Sequence, residues 1–125
     1  MKAAVAKTVH RVNFGSKPAP RRDSAPSGRV PRVARMLAMA HKVDAKIRAG
    51  ELRDLADAAR AMELTRARVT QITNLLLLAP EIQMEILELP LVEQGRDPIS
   101  ERQLRPIVAE PDWQRQMELW NEVKR

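Results

Sequence analysis

Apolar residues recur three and four positions apart in the segment 54–62, as one face of a helix requires. They are Leu55, Ala58, Ala59 and Met62. A break at 63–65 follows, and its last residue, Thr65, carries a hydroxyl that can accept a hydrogen bond from the first turn of a new helix. The pattern predicts one helix that ends near Met62 and a second helix that begins after Thr65.

The second predicted helix has an apolar back and a polar front. Its apolar positions again recur at helical spacing and are Val69, Ile72, Leu75 and Leu76. The polar positions between them are Arg66, Arg68, Thr70, Gln71, Thr73 and Asn74. A helix in the major groove of DNA needs such a surface, because its back packs on a neighbouring helix while its front reads base edges.

The two segments fit a helix-turn-helix unit over about residues 54–78. Ala59 would be the small residue where the helices cross, and Leu64 the apolar residue of the turn. Glu63 departs from the pattern, because this turn often has a glycine, which enters the left-handed region without steric cost. An ordinary helical hairpin with a polar surface is the alternative interpretation.

Four further helices are predicted around this unit. The first runs from Pro31 to Ala49 before Gly50, and the others span 81–89, 101–109 and about 111–124. The four leucines at 75–78 indicate burial on more than one side, and the glutamates of the helix 81–89 indicate a solvated acidic face. We therefore expect an all-α fold, a helix-turn-helix-containing bundle of about five or six helices over 30–125.

The segment LTRARVTQITNLLLLAPEIQMEIL resembles the helix-turn-helix region of ParB-type and KorB-type partition proteins. The elements that match are Thr65-Arg66, Val69-Thr70, the leucines at 75–78 and the Pro-Glu-Ile-Gln step at 80–83, and ISERQLRPI at 99–107 is similar to a later helix start. The resemblance covers about residues 31–109. It implies the DNA-reading module without the family's nucleotide-binding domain, in a plasmid, phage or other mobile-element protein. Such a protein would be a transcriptional repressor, a partition-site binder or a recombination accessory factor.

Composition narrows the classes of function. There is no cysteine among the 125 residues, which excludes disulfides, thiolate metal sites and cysteine nucleophiles. No histidine pair, glycine-rich loop or Ser-His-acid set is visible, so we expect neither an enzyme nor a cofactor. No apolar run approaches the roughly 20 residues of a membrane span. The expected location is the cytoplasm, in association with the nucleoid.

Positive charge is concentrated near the N-terminus. Residues 1–35 hold nine Lys or Arg residues and one acidic residue, whereas the rest of the chain holds 13 basic and 15 acidic residues. Together with its Pro and Gly residues, this predicts a flexible basic arm over 1–29 that contacts DNA phosphates and makes the affinity salt-dependent. A solvated tail and a transit peptide are the alternatives.

The candidate site residues follow from these patterns. The base-reading candidates are Arg66, Thr70 and Gln71, because Arg suits guanine, Gln suits adenine, and Thr can hydrogen-bond or touch a thymine methyl. The candidates for contacts to the DNA backbone or flanking bases are Thr65, Arg68, Asn74, Arg32, Arg35, Arg21 and Arg22. A solvated basic face is an equally good interpretation of Arg32 and Arg35.

The last predicted helix carries Trp113, Met117 and Trp120 on one stripe. Such a stripe is typical of a core or an interface, so it would dock onto the domain itself or onto a second copy. A homodimer would place two recognition helices one DNA turn apart. The alternative function is an adaptor that binds a recombinase or polymerase through the helix of Trp113 and Trp120.

Overall fold

The structure, a computed structural model, describes residues 28–125. This part of the chain forms six α-helices and one short 3₁₀-helix, and its one β-bridge joins Arg29 to Val92. The all-α prediction is thereby confirmed. Of the predicted arm only Gly28 and Arg29 are described, so Arg21 and Arg22 lie outside the described residues. In chain order the helices are α1 (Arg32–Arg48), α2 (Leu55–Met62), α3 (Arg66–Thr73), the 3₁₀-helix (Asn74–Leu77), α4 (Pro80–Leu87), α5 (Glu101–Val108) and α6 (Trp113–Lys124).

Helix α1 is the central element and packs on α3, on the 3₁₀-helix and on α4. It begins after Pro31, whose ring preorganises the first turn, and ends before Gly50, which has a positive φ of 82°. Its apolar stripe is buried, and Leu37, Ala40 and Val43 have no exposed surface. The continuous stripe explains how one helix can organise three others.

The buried side chains form two clusters. The larger cluster joins α1 to α4, α5 and α6, with Leu37, Ile82 and Trp120 among its members. The smaller cluster joins α1, α2 and α3 and consists of Val43, Ala58, Ala59 and Val69. Helix α3 contributes to both, through Ile72 in the larger and Val69 in the smaller. Its back is thus packed along most of its length, which fixes the direction of its front.

The run of leucines at 75–78 differs from the expected burial on several sides. Leu75 and Leu78 are buried, whereas Leu77 is 57% exposed. The physical reason is the change from α to 3₁₀ geometry at Asn74, because three residues per turn bring positions 75 and 78 to the same side. Leu77 then faces outward.

Helix α4 also differs from its prediction, because Glu85 is not a solvated member of an acidic face. Its Oε1 atom accepts hydrogen bonds from the indole nitrogen of Trp120 at 3.0 Å and from the Nζ atom of Lys124 at 2.7 Å. The Lys124 ammonium and the Trp120 indole hold the pKa of Glu85 below its usual value, against the effect of burial. Glu85 therefore fastens α6 to α4.

Candidate functional site

The turn between α2 and α3 has the geometry of a helix C-terminus closed by a left-handed residue. Glu63 has φ 59° and ψ 42°, which is the conformation that favours glycine. The backbone N–H of Leu64 donates to the carbonyl oxygen of Ala59 at 3.0 Å, and that of Glu63 donates to Arg60 at 3.3 Å. This pair of bonds is a Schellman motif. Glu63 therefore has the backbone conformation that is expected of a glycine in this turn, although its residue type differs.

The N-termini of α2 and α3 are both capped by side chains. The carboxylate of Asp54 accepts a hydrogen bond from the backbone N–H of Asp57 at 2.9 Å. The hydroxyl of Thr65 accepts from the backbone N–H of Arg68 at 3.0 Å, as the sequence predicts. Hydrogen bonds from Arg53, and then from Arg60, hold the pKa of the Asp57 carboxyl well below its usual range. A side-chain cap thus fixes the first residue of each of the two helices.

Helix α3 presents a polar front. Its back is buried at Val69 and Ile72, and the side chains of Arg66, Gln71 and Asn74 are exposed. The guanidinium of Arg66 is exposed and has no hydrogen-bond or ion-pair partner among the described residues, so it is free to reach outward.

The hydroxyl of Thr70 is already engaged within α3. It donates to the carbonyl oxygen of Arg66 at 3.0 Å, and Thr70 is half-buried. A ligand can therefore contact its methyl group or donate to the lone pairs of its hydroxyl oxygen. Of the three base-reading candidates, Arg66 and Gln71 are thus the exposed ones.

Arg68 lies against α5 rather than reaching freely into solvent. Its Nη1 atom is 2.6 Å from Oε2 of Glu101 and its Nη2 atom is 3.2 Å from Oε1, which makes the pair bidentate. The side chains are 25% and 17% exposed, respectively. The hydrogen bond from Arg68 lowers the pKa of Glu101, against the opposing effect of burial. Sequence reasoning missed this partner, because Glu101 is 33 positions away and no local pattern links the two.

Arginines from other helices border two hollows beside α3. A hollow of about 250 Å³ is bordered by Arg32 and Arg35 of α1 together with Arg68. A second hollow of about 350 Å³ is bordered by Gln71 and Asn74 of α3, by the exposed Leu77 and by Arg105 of α5. The structure therefore places the predicted residues Arg32 and Arg35 next to α3, and it places Arg105 there as well. Arg21 and Arg22 lie outside the described residues.

The stripe on α6 is divided by burial. Trp120 is completely buried in the larger cluster, Met117 is half-buried and Trp113 is 54% exposed. Trp120 therefore docks onto the domain itself and has no surface to offer a partner. Of this predicted interface, Trp113 is the aromatic side chain that remains accessible.

Comparison with known proteins gives no relative for this chain. No family model matches it, and neither the curated proteins nor the solved structures provide a match. Within residues 28–125, no helix is both long enough and apolar enough to cross a membrane.

Proposed function

We propose that this protein binds double-stranded DNA sequence-specifically, with α2 and α3 as a helix-turn-helix and α3 in the major groove. The observation that carries the proposal is the front of α3, where Arg66, Gln71 and Asn74 are exposed above a back that is buried at Val69 and Ile72. Arg and Gln side chains on an exposed helix face match the donor and acceptor patterns of base edges. The turn at Glu63 and the N-caps at Asp54 and Thr65 fix the orientation of α3 and its exposed side chains. A fixed polar surface supports base reading better than an ordinary solvated helix face does.

The arginines beside α3 support the same proposal. Two hollows beside the helix are bordered by Arg32 and Arg35 and by Arg105, and these arginines supply cations for contacts to DNA phosphates. The charge of Arg68 is neutralised by Glu101, so Arg68 contributes less than these arginines to the attraction of phosphate. The basic residues at positions 1–27 would add non-specific attraction, since phosphate contacts dominate affinity and its salt dependence.

The ParB-like sequence of α3 and α4 favours a biological context in a mobile element. We infer that the protein acts there as a transcriptional repressor, a partition-site binder or a recombination accessory factor. A homodimer would read an inverted repeat, with its two α3 helices one DNA turn apart. These assignments rest on the resemblance of the residues at 65–83 and on the proposed DNA binding.

The test is a selection of bound duplexes from a random DNA pool with the full-length protein at near-physiological salt. We expect enrichment of one short motif, and an inverted repeat of that motif if the protein is dimeric. Retention of random duplexes that disappears as salt rises, without any enriched motif, would contradict sequence-specific reading.

A protein adaptor is the second candidate function, and the exposure of Trp113 favours it. A large aromatic that is 54% exposed is a common anchor at protein interfaces. In this alternative a recombinase or polymerase subunit would bind the N-terminal end of α6. Trp113→Ala should then abolish function while DNA binding persists, whereas Arg66→Ala and Gln71→Ala should abolish function if DNA reading is the activity.

A further inference from the structure

The amide of Gln71 has its oxygen turned toward Arg68. The Nη1 atom of Arg68 donates to Oε1 of Gln71 at 3.1 Å. A guanidinium has five N–H donors and no acceptor, so only the oxygen of the amide can face it. The amide nitrogen of Gln71, with its two N–H donors, is consequently the end that points away from Arg68.

Arg68 is held in this position by side chains from two other helices, α5 and α1. The carboxylate of Glu101 binds both of its terminal nitrogens, at 2.6 Å and 3.2 Å, and the sulfur of Met36 lies 3.9 Å from Nη2. Glu101 is itself fixed, because it opens α5 immediately after the capping box that Ser100 forms. The charge of Arg68 is also balanced by Glu101, so its net attraction for phosphate is weak. Arg68 is therefore less suited than Arg66 to bind the DNA backbone.

We propose that Arg68 is a positioning residue that sets the base specificity of Gln71, making Gln71 a reader of guanine rather than adenine. The inference rests on the proposed DNA binding. A free glutamine pairs with adenine by accepting from N6 and donating to N7, which needs both ends of the amide. Because its oxygen is turned toward Arg68, Gln71 presents the N–H donors of its amide at its outward end. Guanine offers two acceptors, O6 and N7, whereas adenine would set its N6 donors against the N–H groups of Gln71.

The alternative is the expectation from sequence, in which Arg68 itself contacts a phosphate or a flanking base. The two interpretations differ in what the loss of the guanidinium does. A phosphate contact would be lost equally on all sequences, so the affinity would fall without a change in base preference. Loss of a positioning contact would change the preference at one base pair, because the amide of Gln71 is then free to turn its oxygen toward the base.

The experiment repeats the selection from a random duplex pool with full-length variants, and the base pair read by Gln71 is identified as the one whose preference is lost in Gln71→Ala. We expect guanine there for the unaltered protein. In Arg68→Met, which keeps the apolar stem and removes every donor, the ratio of guanine to adenine should fall on the order of tenfold. The matched control is Arg105→Met. Arg105 lies 3.9 Å from the same Glu101 carboxylate but makes no hydrogen bond to Gln71, so the affinity for all sequences should fall while the preference at this base pair stays unchanged.

A second variant keeps the inference testable if Arg68→Met does not fold. Gln71→Glu changes an exposed position and still gives Arg68 an oxygen to bind, but its outward group becomes an acceptor. The preference should then move to cytosine, whose N4 is a donor.

Adenine at this base pair in the unaltered protein, or an unchanged guanine preference in Arg68→Met, would overturn the inference and leave the proposed DNA binding in place. A failure to enrich any motif would overturn both proposals together. The outcomes therefore separate the failure of the positioning contact from the failure of DNA reading.

Discussion

The side-chain oxygen of Gln116 accepts a hydrogen bond from the backbone N–H of Ala79 at 2.8 Å. Gln116 is only 1% exposed, and its amide nitrogen donates to the carbonyl oxygens of Glu110 at 2.8 Å and Leu77 at 3.3 Å. A single buried amide thus joins α6 to the chain between the 3₁₀-helix and α4. Because the 3₁₀-helix follows directly from α3 in the chain, this contact also anchors the C-terminal side of the candidate site.

Gln116→Leu should destabilise the fold. Leucine fills a similar volume but leaves the buried N–H of Ala79 and the half-buried carbonyl of Glu110 without the partner that Gln116 provides, so we expect a loss of about 1–3 kcal/mol in the free energy of unfolding. The measurement is equilibrium unfolding in urea. Gln114→Leu, two positions away and exposed, is the matched control and should change the stability by less than about 0.5 kcal/mol. Equal effects of the two substitutions would contradict the assigned contact.

Glu63→Gly should stabilise the protein. At φ 59° a side chain crowds the following carbonyl, and glycine relieves that crowding at some entropic cost in the unfolded chain. We expect a net gain of about 0.5–1 kcal/mol in thermal or urea unfolding. Glu63→Ala retains the Cβ atom and should show no such gain, and a loss of stability in Glu63→Gly would contradict the left-handed turn.

The ion pair of Glu101 with Arg68 should contribute to stability at neutral pH and lose that contribution in acid. The ordinary pKa of the carboxyl is 4.5, and the hydrogen bond from Arg68 lowers it in the folded state. The unfolded chain therefore takes up this proton at a higher pH than the folded chain does. The contribution is complete above the unfolded pKa and disappears as the pH falls through the folded pKa.

Glu101→Gln should accordingly reduce the free energy of unfolding by about 1 kcal/mol at pH 7 and have less effect as the pH falls below about 4. The measurement is urea unfolding across a series of pH values. Glu118→Gln is the control, because Glu118 forms an exposed pair with Arg115, and exposed pairs of this kind contribute little. A difference between wild type and Glu101→Gln that grows toward acid pH would contradict the direction of the shift.

Arg66→Ala and Gln71→Ala should each weaken binding to the selected DNA motif by about 1–3 kcal/mol and change binding to random duplexes little. Both side chains are exposed on the front of α3, so the fold should be unaffected. The measurement is the dissociation constant on the motif and on random DNA at one salt concentration. Arg115→Ala on α6 removes a similar charge away from α3 and is the control. Equal losses on both kinds of DNA would contradict base reading by Arg66 and Gln71.

Removing residues 1–27 should lower the affinity for all DNA sequences and flatten its salt dependence. This deletion keeps Arg29, which binds Asp97 and bridges to Val92, so the described fold should stay intact. Each phosphate contact that is lost should reduce the slope of log affinity against log salt by about 0.9. An unchanged slope would show that this segment makes no phosphate contacts.

Local patterns were enough to predict the helices and the polar front of α3. Helical spacing of apolar residues located α2 and α3, and the residue type at Thr65 located an N-cap, because caps depend on a few neighbouring residues. The exposed position of Gln71 and the buried position of Val69 follow from the same periodicity. These features are short-range in the chain, so a single sequence contains them.

Only the tertiary structure decided which polar groups are engaged. Arg68 and Gln71 look alike in sequence as exposed donors, yet the distant carboxylate of Glu101 holds the first and thereby turns the amide of the second. Gln116 and Glu85 likewise look like solvated surface residues and are structural contacts. Which charges and amides meet depends on how helices far apart in the chain pack together. The periodicity of one helix specifies its buried face and carries no information about the side chain that another helix places beside it.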